Sequence, residues 1–226
     1  MYLIVFDCDG TLVDGQHSVL QGFEASFKQV GLPLPSHNDI LSTIGLSLEQ
    51  ALLHIVGDPN REIIPQLIEA FHKEKIHRRS QGLDHDPLYP GVKQTLEELA
   101  AMDNVLLGIA TGKHSRGVDH MLDVHQLHGK FVTIQTADKA PSKPNPTMLY
   151  QAMSEAGTSP QNTIMIGDTT FDTMMAQNAG VRSIGVNWGY HKRKELLRTG
   201  ACQVIDRFEA LIPSLAHQLE WTEDVC

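Results

Sequence analysis

An uninterrupted apolar run, Tyr2-Leu3-Ile4-Val5-Phe6, leads straight into Asp7-Cys8-Asp9-Gly10-Thr11, and it limits the fold more than any other feature of the chain. β-Branched and aromatic residues without polar alternation make a strand covered on both faces, as in a parallel sheet between layers of helix. Two carboxylates at the end of such a strand are costly unless a cation compensates them. Mg²⁺ meets that need, because it is held by one or two carboxylates together with water and phosphate oxygens. Asp9-Gly10 also has the form of a two-residue hairpin turn. A hairpin needs a second alternating strand, whereas residues 18–30 have helical spacing.

Val19, Leu20, Phe23, Phe27 and Val30 form one apolar stripe that ends at Gly31-Leu32-Pro33. Ile40, Leu41 and Ile44 predict a short second helix stopping at Gly45. Ser47 stands where it would cap a third helix carrying Leu52, Leu53 and Val56. A fourth is expected over residues 61–79, followed by a Gly-, Asp- and Pro-rich linker over 82–90. Beyond Pro90 strands and helices alternate, with strands expected at 105–110, 131–136, 163–166, 183–186 and 203–205. The pattern predicts an α/β protein with a doubly wound parallel sheet and an all-helical insertion after the first strand. The core is expected to comprise 1–13 and 86–226, and the insertion 14–85.

Composition excludes several classes. The chain has 226 residues and a net charge of −9, with no basic run, so nucleic acid is not an expected partner. No stretch reaches the length of an apolar membrane span, and no basic, apolar leader precedes the first strand, so a cytoplasmic protein off the membrane is expected. The three cysteines, Cys8, Cys202 and Cys226, are widely spaced and odd in number, which argues against a disulfide framework. Cys8, between two acids, has its thiol pKa raised and reads as packing. Nothing in the pattern specifies an oligomeric state.

Ligands of doubly wound sheets bind beyond the carboxyl ends of the strands. Four strand ends here carry reactive groups: Asp7 and Asp9; Thr111-Gly112-Lys113; Lys143-Pro144 in the following loop; and Gly167-Asp168-Thr169-Thr170-Phe171-Asp172. Singly, each has an ordinary explanation: Thr111 or Asp168 as a helix cap, Asp172 as a first-turn acid, Lys143 as a solvated loop lysine. Together they describe phosphoryl transfer. Asp7 supplies a nucleophile that forms an aspartyl-phosphate, and Asp9 protonates the leaving alkoxide and then deprotonates water. Asp168 and Asp172 complete a Mg²⁺ site with Asp7. The Thr111 hydroxyl, backbone N–H groups near Gly10 and Gly112, and the Lys143 ammonium meet the phosphate oxygens.

This arrangement resembles the haloacid dehalogenase superfamily of aspartate-nucleophile phosphatases over the whole chain. Asp7-Cys8-Asp9-Gly10-Thr11-Leu12 is similar to its first motif, Thr111 to its second, Lys143 to its third, and the segment from Gly167-Asp168 to Asp172 to its fourth. The resemblance implies that Asp9 reaches the metal through its backbone carbonyl and that the helical insertion is a mobile cap. The cap and the 185–190 segment look most like phosphoglycolate phosphatases. Asn145 departs from the family's Lys-Pro-His-Pro, and Gly112 from its Thr-Asn.

The resemblance implies a Mg²⁺-dependent phosphatase acting on a small phosphorylated metabolite, a phosphoglycolate-like acid first among them. A sugar-phosphate mutase, or a pyrophosphatase or nucleotidase of the same superfamily, uses the same motifs. Dehalogenation needs no acid at position 9. A phosphonate hydrolase needs a cap lysine, and Lys28, Lys73 and Lys75 fall among polar residues, as surface lysines do. A non-enzymatic interaction module does not need the full carboxylate set. His120, His125 and His128 lack the acidic or cysteine partners of a zinc site. Gly45 and Ser47, in the turn between two cap helices, are the candidates for substrate contact, or else simply a turn and a helix cap.

Overall fold

The computed structural model describes residues 1–219, so Cys226 lies outside the described residues. Six strands form one sheet: β1 (Tyr2–Phe6), β2 (Val105–Thr111), β3 (Thr133–Thr136), β4 (Thr163–Gly167), β5 (Arg182–Val186) and β6 (Gln203–Ile205). Their spatial order is β3-β2-β1-β4-β5-β6, and every pairing is parallel. Helices α1 (Gln16–Val30), α2 (His37–Leu41), α3 (Leu48–Val56) and α4 (Ile64–Ser80) all fall between β1 and β2. Then come α5 (Val92–Ala100), α6 (Ser115–His125), α7 (Thr147–Ala156), α8 (Thr170–Asn178), α9 (Arg193–Arg198) and α10 (Leu211–Gln218).

The apolar character of β1 follows from its central position. Ile4 and Phe6 pack with Leu96 and Leu99 of α5, Leu122 of α6 and Leu215 of α10. Leu3 and Val5 point the other way, onto Met148 and Leu149 of α7 and Met175 of α8. All four strand residues are fully buried. Their burial contributes roughly 6–12 kcal/mol before conformational entropy is subtracted, enough to support charged groups at the strand's tip. The chain builds outward from β1 through β2 to β3, then returns to place β4 on β1's other side. The crevice beyond the ends of β1 and β4 is therefore the topological switch point.

The inserted helices have their own core, in which Phe23 and Phe27 of α1 meet Ile40, Leu52 and Leu67. The two connecting segments run side by side: Val13 and Leu88 form an antiparallel bridge, and the Asp14 N–H donates to the Pro87 carbonyl at 2.9 Å.

Strand β3 begins at Thr133 rather than at 131, and two boundaries within the helical insertion also differ from expectation. Helix α2 ends at Leu41 rather than reaching Gly45, because the Ser42 and Thr43 hydroxyls bond back to the carbonyls of Asp39 and Ile40. The fourth helical segment opens as a 3-10 turn, Asp58–Ile63, with a proline in its first turn, before α4 begins.

Lys75 is not a surface lysine. Its Nζ lies 3.0 Å from Asp84 Oδ1 and 2.8 Å from Ser18 Oγ. His120 and His125 form no zinc site; their Nε2 atoms lie 2.9 Å from the carbonyl oxygens of Asp84 and Asp86, tying α6 to the second connection. Among the described residues, no helix is long and apolar enough to cross a membrane.

Candidate active site

Three carboxylates meet at the switch point. The Asp7 N–H donates to the Ile166 carbonyl at 2.9 Å, extending the β1–β4 ladder by one residue and turning Asp7 toward the end of β4. Asp168 follows β4 directly. Asp172 sits in the first turn of α8, where a capping box fixes it: the Thr169 N–H and hydroxyl donate to Asp172 Oδ2 at 3.0 and 2.6 Å. Oxygens of Asp7, Asp168 and Asp172 lie within 4.8 Å of one another, and all three residues are buried. Thr169, not Asp168, caps α8.

One ammonium enters the cluster. Lys143 is fully buried, with Nζ 2.9 Å from Asp7 Oδ1 and 2.6 Å from Asp172 Oδ1. Burial alone would lower its pKa, but the charges of Asp172 and Asp7 outweigh burial and hold it above the usual lysine value. Among the described residues no cation pairs with Asp168; it accepts from the Thr11 hydroxyl and the Tyr190 N–H, both at 2.9 Å. Burial, followed by the charges of Asp172 and Asp7, pushes the Asp168 carboxyl well above the usual aspartate value. Burial likewise pushes Asp7 up to about 6, with Lys143 opposing and Asp172 adding to the rise. Asp7 Oδ2 has no hydrogen-bond partner. Surplus negative charge, donors that are all oxygen and one partnerless carboxylate oxygen fit a hard divalent cation.

The surrounding backbone is shaped to this cluster. Gly10 has φ +84°, and a Cβ there would stand 2.2 Å from Asp168 Oδ2, so only glycine suits the turn. Thr111 is buried at the end of β2; its hydroxyl accepts the Lys113 N–H at 3.2 Å, and α6 is capped by His114 instead. The Cys8 thiol is buried, and burial with the charges of Asp7 and Asp9 pushes its pKa far up, so it is packing.

The Asp9 carboxylate is not part of the three-acid cluster. Its Oδ2 lies 2.9 Å from Lys113 Nζ, a pairing that sequence reasoning did not assign, since spacing alone does not say which acid a lysine reaches.

The turn between α2 and α3 rests on the rim of the crevice. The Ser47 N–H donates to Ser142 Oγ at 2.8 Å, while the Ser47 hydroxyl accepts the Gln50 N–H and caps α3. A Cβ on Gly45 would stand 2.9 Å from Thr169 Oγ1, and one on Gly112 only 2.3 Å from the Leu46 carbonyl oxygen. A side chain at 112 would collide with this turn, which accounts for glycine there. Asn145 closes a local turn ahead of α7, its Oδ1 accepting the Thr147 N–H and hydroxyl at 3.0 and 2.7 Å.

Comparison with known proteins adds five findings. A family model described as haloacid dehalogenase-like hydrolase matches residues 4–186. The probable phosphatase IndB of Dickeya dadantii (strain 3937) is 32% identical over 222 residues, covering 96% of this chain and 94% of that protein. A phosphoglycolate phosphatase of Vibrio vulnificus (strain CMCP6) is 30% identical over 223 residues, covering 93% and 94%. Among solved structures, the haloacid dehalogenase-like family protein SP0104 of Streptococcus pneumoniae superposes with a TM-score of 0.80 at 25% identity, covering 95% and 98% of the two chains. The structure of a predicted phosphatase from Clostridium acetobutylicum, at 21% identity, shares the fold with a TM-score of 0.84 over 96% of this chain and 99% of the other.

Proposed function

The chain belongs to the haloacid dehalogenase-like hydrolase family and is a phosphatase most like the phosphoglycolate phosphatases, and we propose that it cleaves a small phosphate monoester through an aspartyl-phosphate on Asp7. One observation carries this reading: Asp7 has a partnerless oxygen in a buried cluster of three acids and one lysine at the switch point of the sheet.

The Asp7 carboxylate attacks phosphorus as the bond to the leaving oxygen breaks. Asp9 gives that oxygen its proton, then takes one from the water that attacks the aspartyl-phosphate, so Asp7 and Asp9 return to their starting states. Lys143, the Thr111 hydroxyl and the N–H group of Gly112 receive the phosphoryl oxygens, whereas the Gly10 N–H, expected among these donors, is taken up by the Val13 carbonyl at 2.9 Å. Asp7, Asp168, Asp172 and the Asp9 backbone carbonyl are the groups that would hold Mg²⁺. The ion, when bound, supplies positive charge to balance the phosphoryl group. Residues 14–85 are read as the cap over a core of 1–13 and 86–226, with Gly45 and Ser47 as its candidates for substrate contact.

A phosphoglycolate-like acid is the leading substrate class, supported by the likeness to phosphoglycolate phosphatases over nearly the full chain. A Mg²⁺-supplemented screen of phosphoglycolate, sugar phosphates, nucleotides and pyrophosphate tests it. The expected result is phosphate release with preference for the small acid; preference for nucleotides or pyrophosphate would overturn the substrate assignment.

A further inference from the structure

The phosphoryl-transfer scheme leaves Lys113 without a task, yet this side chain is held as closely as the catalytic groups. Its Nζ stands 2.9 Å from Asp9 Oδ2, and the two side chains are only 15% and 14% exposed. An ion pair this enclosed is not the weak, solvent-screened contact of an open surface, and removing one partner strands the other.

The pair occupies a slot bounded by two glycines. A Cβ on Gly117, in α6, would stand 2.7 Å from Lys113 Cγ and 3.0 Å from Cδ, so the lysine's stem runs where any side chain would block it. A Cβ on Gly15 would stand 2.3 Å from Asp9 Oδ1. The Lys113 backbone is fixed as well: its N–H donates to Thr111 Oγ1 at 3.2 Å, and its carbonyl accepts the Ala137 N–H at 3.3 Å. Asp9 Oδ1, by contrast, is buried without a hydrogen-bond partner.

We propose that Lys113 is a positioning residue that holds Asp9 by Oδ2 and so leaves Oδ1 as the atom exchanging the proton with the leaving oxygen and then with water. Without the lysine the aspartate side chain is free to rotate, and an ångström-scale displacement of a proton donor is costly to rate. The inference rests on the acid/base role proposed for Asp9. It differs from the other task open to a lysine here, direct contact with the phosphoryl group.

Leaving-group dependence separates the two. Protonation matters for a poor leaving group such as an alkoxide and hardly at all for 2,4-dinitrophenolate. Lys113→Met is expected to lower kcat/KM for an alkyl phosphate by about 10- to 100-fold, and for 2,4-dinitrophenyl phosphate by less than about threefold, with inhibition by inorganic phosphate unchanged. Partial misfolding lowers both substrates in proportion, so the ratio between them remains informative. Asp9→Asn should show the same selectivity more strongly, and adding Lys113→Met to it should cost little more, because the lysine acts through that carboxylate. Equal losses on both esters, or weakened inhibition by phosphate, in Lys113→Met beside a selective Asp9→Asn would overturn the inference alone. A flat response of Asp9→Asn would overturn the acid assignment, and the inference with it.

Discussion

Asp7 combines full burial, a lysine partner on one oxygen and none on the other, as befits a carboxylate that must be both anionic and open to attack on an electrophile. Asp7→Asn keeps the shape and removes the proposed nucleophile; turnover should fall by at least about 10³-fold, while inorganic phosphate still binds, as isothermal titration would show. Retained turnover would contradict attack by Asp7. The meeting of Asp7, Asp168 and Asp172 was legible in the sequence because their segments follow apolar strands whose carboxyl ends share one rim of a doubly wound sheet. Lys143 was legible only from its order among the motifs. Lys113 was not, since its partner comes from a distant strand and its slot depends on Gly15 and Gly117.

Elements explain how the inserted helices meet the rim of the sheet. The α2–α3 turn docks against Gly112, where a side chain would strike the Leu46 carbonyl. Gly112→Ala is expected to hold the turn away from the rim, raising KM several-fold with little change in Tm; unchanged kinetics would show that this docking is not used in turnover. At the second connection, Asp84 receives Lys75 at 3.0 Å and Arg79 at 2.8 Å. Burial opposes its charge, but these cations outweigh burial and depress its pKa. A depressed carboxyl stabilises the fold above its unfolded pKa and loses that contribution as pH falls through the folded value. Asp84→Asn should therefore cost about 2 kcal/mol at neutral pH, roughly 4–8 °C in Tm, and less in acid. The helical insertion was legible from its periodicity. The ends of α2 and α4 were not, because Ser and Thr back-bonding and a proline-led 3-10 turn override the apolar spacing.

At the scale of the molecule, the sheet order places the strand tips so that, among the described residues, three acids share one buried volume with a single ammonium. Alternating strands and helices announced a doubly wound parallel sheet but not the order of its strands; the charge imbalance emerges only when the chain is folded. Asp7 is raised from 3.8 to about 6, so the metal-free fold binds more protons than the unfolded chain between those values and loses stability as pH rises through them. Mg²⁺ favours the ionised form. Its effect on Tm should be larger near about pH 7 than near about pH 5, and Asp168→Asn should raise the metal-free Tm at neutral pH while weakening the Mg²⁺ response. A Mg²⁺ shift independent of pH would argue against a site built on this cluster. The most direct test of the whole account is rapid acid quenching of the enzyme during turnover of an aryl phosphate, borohydride reduction and peptide mass spectrometry. A phosphorylated Asp7 would be reduced to homoserine at position 7; unmodified Asp7 throughout turnover, or homoserine at a different aspartate, would contradict it.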